Sequence, residues 1–218
     1  NMLFMLGASQ KVVLFTSTQP GEGKSFIAGN TAVSLAYMGK KVVIVGLDIR
    51  KPGLNKVFNL SHRTEGITNY LADPEHFDMI QHSDVSPNLD ILPGGPIPPN
   101  PTELMARTVL EDAIEKLKER YDYIILDTAP IAIVTDTAIA SRVADMCVYV
   151  CCADVTPKLG YQYINVLRDQ KKFDKLATVI NSIDLNSRKS GYGYGHKYGY
   201  GYGHKYGYGY GMDNSKKD

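Results

Sequence analysis

Cysteine is scarce, long apolar runs are missing and the charges nearly cancel. The three cysteines, Cys147, Cys151 and Cys152, cannot form an even disulfide framework and lack metal-ligand spacing. Two of them are adjacent in an apolar run, so buried thiols in a reducing cytosol are expected. No apolar run approaches the ~18 residues of a membrane span and no signal peptide is visible, so the chain as given reads as soluble. A formal net charge of +1 over 218 residues decides nothing by itself about a nucleic-acid partner. The charge is uneven, however. Residues 188–218 hold six Lys/Arg and two Asp/Glu, leaving 18 basic and 21 acidic residues elsewhere. A mildly acidic globule thus carries a basic tail. With 44% hydrophobic residues the remainder has enough apolar content for one sizeable core.

What is present is organised around Ser17-Thr18-Gln19-Pro20-Gly21-Glu22-Gly23-Lys24-Ser25. An apolar run, residues 11–16, precedes it, and a helix-like stretch, 26–38, follows and stops at Gly39. Strand, glycine-rich turn and helix are the context of a phosphate loop. Backbone N–H groups of residues 19–26 (Gln19, Pro20's neighbours and Phe26 included) and the helix N-terminus would converge on phosphate oxygens. Lys24 would reach the β- and γ-phosphates, and the Ser25 hydroxyl would ligate Mg²⁺. The usual pattern opens with Gly or Ala where this chain has Thr18.

Further along, residues 41–45 read as a strand, apolar on both faces as a parallel sheet requires. It leads into Gly46-Leu47-Asp48-Ile49-Arg50, placing Asp48 at the sheet edge where ligands bind in open α/β folds. Asp48 could serve the metal's water shell or orient a nucleophile there, and Arg50 could pair with a phosphate or a carboxylate. A short strand is expected at 89–92. A proline-rich loop, 93–101, then delivers one helix running to about Arg120, with Asn100 as N-cap. Tyr123-Ile124-Ile125-Leu126-Asp127 describes a buried strand tipped by a carboxylate, which in phosphate-loop proteins holds Mg²⁺. A helix at 136–144, a strand at 146–151, a helix at 160–171 and a last strand at 176–181 complete the alternation. The expected fold is α/β, a doubly wound, mainly parallel sheet with helices on both faces. His62, His76 and His82 are scattered and read as surface histidines, and residues 2–6 read as the stub of a helix.

Residues 192–211 contain only Tyr, Gly, His and Lys, and His196-Lys-Tyr-Gly-Tyr-Gly-Tyr-Gly203 repeats identically as 204–211. Alternating glycine cannot pack a core, so the segment reads as flexible. It could be a sticky aromatic segment, a poor metal site through His196 and His204, or a carrier of tyrosines to an active site. In the last case Tyr192, Tyr194, Tyr198, Tyr200, Tyr202, Tyr206, Tyr208 and Tyr210 are the acceptors. Each phosphate would add roughly −1.5 to −2 charge, making the cluster a graded electrostatic switch.

Taken together, T-S-x-x-P-G-E-G-K-S at 16–25, D-x-R at 48–50, P-P-N-P-T-E-L at 98–104, I-I-L-D-T-A-P at 124–130 and the tyrosine cluster resemble one family. It is that of bacterial tyrosine kinase catalytic domains which regulate capsular and exopolysaccharide export. The resemblance implies a kinase domain at 1–187 and a tyrosine tail at 188–218. It implies ATP and Mg²⁺ as cofactors, and γ-phosphoryl transfer to tyrosine in trans between ring subunits. Lys24, Asp48, Arg50 and Asp127 are then the catalytic set, with Ser25, Asp48 and Asp127 around the metal and Asn181 against adenine. A membrane adaptor, fused or separate, and a tyrosine phosphatase are implied partners, with no nucleic acid. The implied location is the cytoplasmic face of the bacterial inner membrane. No H-R-D or D-F-G element of eukaryotic kinases occurs. Two departures stand out. The family's second motif is usually D-x-D-x-R, and Gly46 replaces its first Asp, a favoured general base. The family's oligomerising E-x-x-R-x-x-R helix would fall before residue 1, so the chain reads as a fragment. The alternative is a partner-stimulated ATPase switch of the partitioning type. That class carries a lysine where this chain has Gln19.

Overall fold

The apolar runs identified above become the strands of a single sheet in a computed structural model that describes residues 5–7, 9–61, 64–75 and 77–184. Four strands carry the centre. They are β1 (Val12–Ser17), β2 (Val42–Leu47), β5 (Tyr123–Thr128) and β6 (Met146–Cys152). Nearly every residue in them is buried, because helices cover both faces and β-branched side chains fill the pleats. With β3 (Gln81–His82), β4 (Leu89–Leu92) and β7 (Leu176–Asn181) the order is β3-β4-β2-β5-β1-β6-β7. All neighbours are parallel except β3, which pairs antiparallel with β4 at the edge. This two-residue edge strand has no alternating pattern and was not foreseen.

The period-2 alternation of each strand divides the core. Val13 and Phe15 of β1 face α1 (Lys24–Tyr37), packing on Ala28, Ala32 and Leu35, with Leu54 of the short α2 (Leu54–Val57) in the same cluster. Val12 and Leu14 face the other layer, which holds Ile67, Tyr70 and Leu71 of α3 (Ile67–Ala72), Met105 of α4 (Pro101–Ala106) and Leu110, Ile114 and Leu117 of α5 (Val109–Arg120). Along the same face, α7 (Lys158–Asp169) covers Tyr149 and Cys151 of β6 through Leu167. The three cysteines are free and buried, and burial pushes the Cys151 thiol up to about 11.

The helix expected over 101–120 is two helices. Arg107 is extended (φ −67°, ψ 145°), so the chain turns between α4 and α5. Two arginines explain why this break is tolerated. Arg107 donates to the carbonyls of Leu71 and Ala72 at the end of α3. Arg142 donates to the carbonyls of Met105 and Arg107, both at 2.9 Å, and forks onto the Glu111 carboxylate. Arg142 thereby supplies donors to the two carbonyls at the junction, and Arg107 ties it to α3. Asn100 does occupy the N-cap position, but its side chain reaches Glu103 instead of the backbone. The helix expected at 136–144 is α6 (Asp136–Ala140) with a terminal 3₁₀ turn, Ser141–Val143. Of the expected N-terminal helix stub, residues 2–4 lie outside the described residues, as do His62, His76 and the eight tail tyrosines.

Arg142 therefore fixes the α4–α5 junction. Arg142→Ala is expected to lose about 0.5–1.5 kcal/mol, in line with carbonyls at a partly exposed junction giving up a charged donor. Arg142→Lys should recover little, because an ammonium cannot fork to several acceptors in one plane. Chemical denaturation checks this, and an unchanged midpoint for Arg142→Ala would refute it.

Candidate active site

The loop between β1 and α1 brings the first set of residues together. Gly21 and Gly23 have φ of 87° and 92°, a left-handed turn that L side chains rarely adopt. At Gly23 a Cβ would also have to displace the Asn181 amide, 2.2 Å away. Asn181 Nδ2 in turn donates to the Glu22 carbonyl at 3.2 Å. The end of β7 is thus laced to the phosphate loop where sequence reading placed a nucleotide contact.

The loop is held from the β6 side by two further tethers. The buried Glu22 carboxylate turns inward, accepting from Gln19 N at 2.9 Å and from Thr156 Oγ1 at 2.5 Å. Thr156 Oγ1 itself accepts from Cys152 N at 2.7 Å. The Gln19 amide donates to the Val155 carbonyl. The second tether involves Thr18, whose hydroxyl lies 2.7 Å from the Tyr149 hydroxyl. Tyr149 is fully buried, and burial pushes its phenol up to about 12, so it stays neutral. The residue that departs from the usual phosphate-loop opening is therefore a hydrogen-bonding partner and not a gap. Nothing in the sequence marked Tyr149 or Thr156, apart from Tyr149 being a hydroxyl-bearing residue in an otherwise apolar strand.

On the other side of β1 lie the charged groups. Asp127 is aligned with Phe15 of β1 and Gly46 of β2, and Asp48 N continues the ladder by donating to the Asp127 carbonyl. Lys24 Nζ lies 2.8 Å from Asp48 Oδ2, 3.8 Å from Asp127 Oδ1 and 3.4 Å from Ser25 Oγ. Asp48 Oδ1 accepts from Lys51 N. Asp127 differs from Asp48, because it is fully buried and neither carboxylate oxygen has a hydrogen-bond partner. Burial pushes its carboxyl up to about 6. The Lys24 charge and the neighbouring Ser25 hydroxyl pull against that, while the Asp48 charge adds to it.

Arg50 takes the carboxylate alternative. It forks onto Asp136, at 2.6 and 3.1 Å, and donates to Thr102 Oγ1 at 2.9 Å, while Thr102 donates to Asp136 at 2.8 Å. Asp136 is buried, which pushes its carboxyl up, but the bonds from Arg50 and Thr102 outweigh that and hold it low. This cluster ties the loop after β2 to α4 and α6. Thr102 stands in the proline-rich stretch noted above, whereas Asp136 carried no signal.

Lys24, Ser25, Asp48 and Arg50 line one cleft of about 440 Å³, together with Pro20, Gly21, Gly23, Phe26 and the loop 129–134. Asn181 is not in that lining. Gly46 is aligned with Asp127 and does not line the cleft, and a Cβ there would meet Gly94 N at 2.9 Å, so the position missing its aspartate is filled by a neighbouring backbone. A divalent cation fits the donors present. Asp127 offers two unpartnered oxygens beside the Ser25 hydroxyl, whereas a cluster of three His, Cys, Asp or Glu is absent among the described residues. That supply suits Mg²⁺, which keeps water and phosphate oxygens as its main ligands.

The family model for the AAA domain matches residues 10–172. Tyrosine-protein kinase YwqD of Bacillus subtilis is 36% identical over 184 residues, covering 84% of this chain and 77% of that protein. The chain belongs to the bacterial tyrosine-protein kinase family. Among solved structures, the chimerical protein CapA2B2 is 34% identical with a TM-score of 0.69, over 81% of this chain and 79% of that one. The kinase domain of the Escherichia coli tyrosine kinase ETK matches with a TM-score of 0.78 over 90% of this chain and 76% of that one. At 24% identity it shows the fold. A nucleotide-binding site follows from this fold and family. No described helix of this family member is long and apolar enough to cross a membrane.

Asp127 gives a pH-dependent expectation. Its folded pKa lies above the ordinary value, so its contribution favours folding below about pH 4 and is lost as pH rises through about 6. Without nucleotide, Asp127→Asn should raise Tm at pH 7.5, by roughly 2–4 °C for each kcal/mol relieved. The gain should shrink toward pH 5. A lower Tm for the variant at pH 7.5 would contradict the assignment.

Proposed function

We propose that the chain transfers the γ-phosphoryl group of ATP to tyrosines of its own C-terminal cluster, Tyr192 to Tyr210. The observation that carries this reading is the juxtaposition of Lys24, Ser25, Asp48 and Asp127 at the phosphate loop of a family member that carries eight clustered tyrosines. The loop N–H groups and the α1 N-terminus hold the phosphates. Lys24 leaves Asp48 for the β- and γ-phosphates and neutralises charge on the transferring group. Ser25 and Asp127 would hold Mg²⁺, with Asp48 reaching only its water shell, and the cation would offset phosphate charge. A tyrosine hydroxyl attacks the γ-phosphorus as the bond to the β-phosphate oxygen breaks, giving phosphotyrosine and ADP. The phenolic proton passes to Asp48, freed of Lys24, because Gly46 offers no carboxylate. Arg50 keeps the Asp48 loop in place through Asp136, and Asn181 contacts the adenine.

The kinase unit is 1–187 and the tail 188–218. In the assembled protein, tails of one subunit serve the site of the next in a ring. A membrane adaptor recruits that ring to the cytoplasmic face of the inner membrane, and a tyrosine phosphatase resets it. The accumulated negative charge on the tail regulates polysaccharide polymerisation and export. These assignments extend the family resemblance.

Incubation with ATP and Mg²⁺ beside a Lys24→Met variant, followed by intact and peptide mass spectrometry, tests the reaction. The expected result is several phosphates within 192–210 of the wild type and none in the variant. ATP hydrolysis without phosphotyrosine would instead support a partitioning-type switch.

A further inference from the structure

The cleft has a lining that phosphate chemistry does not use. Pro130, Ile133 and Val134 contribute an apolar surface to it, with Phe26 from the first turn of α1. Ile133 is 59% exposed and Phe26 58%, so two large apolar side chains stand open to water beside Lys24 and Asp48. The loop that carries Ile133 is well fixed. Ile131 N donates to the Ser17 carbonyl at 3.0 Å, and Thr16 and Thr137 hydroxyls both donate to the Ala129 carbonyl. Ile133 N and Val134 N both donate back to the Pro130 carbonyl. An apolar wall on a rigid turn next to a transfer site suits a flat apolar group.

Two such groups enter a kinase, the nucleotide base and the acceptor ring, and the sheet order separates them. Asp48 follows β2 and Asp127 lies near the end of β5 on one side of β1, whereas Asn181 ends β7, two strands away on the other side, against Gly23. The wall belongs to the loop after β5, on the carboxylate side, and Asn181 does not line its cleft. The wall therefore adjoins the end of the site where phosphoryl transfer takes place. The acceptor repeat itself, His-Lys-Tyr-Gly-Tyr-Gly-Tyr-Gly, contains no apolar side chain except the tyrosine ring. Apart from the lysine stem, an apolar contact with it is made to that ring.

We propose that Pro130, Ile133 and Val134, with Phe26, form the subsite that seats the phenyl ring of the acceptor tyrosine, its hydroxyl toward Lys24 and Asp48. The subsite selects for an aromatic acceptor, since a serine or threonine would leave the wall uncovered. It rests on the tyrosine-kinase reading of the same cleft.

The probe is the synthetic peptide HKYGYGYG and its phenylalanine counterpart HKFGFGFG, with Ile133→Ser as the variant. Ile133 is exposed, so folding is not at stake, and an unchanged Tm verifies that. Binding of labelled peptide to protein loaded with ADP and Mg²⁺ is followed by fluorescence anisotropy, separately from phosphoryl transfer to the tyrosine peptide. The expected result is a loss of affinity for both peptides of about tenfold in Ile133→Ser. The acceptor KM should rise in parallel, with ADP affinity unchanged. Equal peptide affinity in wild type and variant overturns the subsite. A parallel loss of ADP affinity also overturns it, by giving the wall to the base. Wild-type protein that binds both peptides at the wall without phosphorylating tyrosine supports the ring subsite and counts against the kinase reading.

Discussion

Two buried aspartates share one lysine, and the rest of the structure is arranged around that shortage. Lys24 pairs closely with Asp48 and only distantly with Asp127, which is left buried with both oxygens unpartnered. Such a group costs stability unless a ligand satisfies it. The surrounding fold supplies the compensation. Asp127 sits in the central strand of the sheet, flanked by β1 and β2 over most of its length. A cation and phosphates would satisfy Asp127 and at the same time draw Lys24 away from Asp48. Binding is then coupled to release of the carboxylate positioned to receive a proton.

The phosphate loop is held from two directions with different chemistry. From β6 and the turn after it come hydroxyl contacts, between Tyr149 and Thr18 and from Thr156 to the Glu22 carboxylate, which fix the loop from that side. From the loop after β2 comes Asp48, paired with Lys24, on a segment that Arg50 locks to Asp136 and Thr102. One flank gives rigidity and the other carries the charges that respond to nucleotide. This division follows from the strand order, because β1 lies between β5 and β6.

Much of the fold was legible in the sequence, since buried parallel strands are short apolar runs and β4 and β7 fall at the residues expected. The phosphate loop, Asp48 and Asp127 were legible because their chemistry demands fixed residue types at strand ends. The break at Arg107 was not, because it depends on Arg142, from a distant segment, supplying donors to carbonyls at the junction. The roles of Tyr149, Thr156 and Asp136 were hidden for the same reason. Each acts through a contact spanning many residues of sequence, and no local pattern encodes it. Gly46 was legible as a departure, but its cause, the close approach of Gly94, needed the third dimension.

The central claim is that Asp127 keeps both oxygens free of hydrogen bonds for a cation that arrives with the nucleotide. Calorimetric titration of ADP into the protein, with Mg²⁺ and with EDTA, tests it most directly when repeated on Asp127→Asn. The account predicts that Mg²⁺ strengthens ADP binding to the wild type and leaves binding to the variant unchanged. Equal enhancement by Mg²⁺ in both proteins would contradict it.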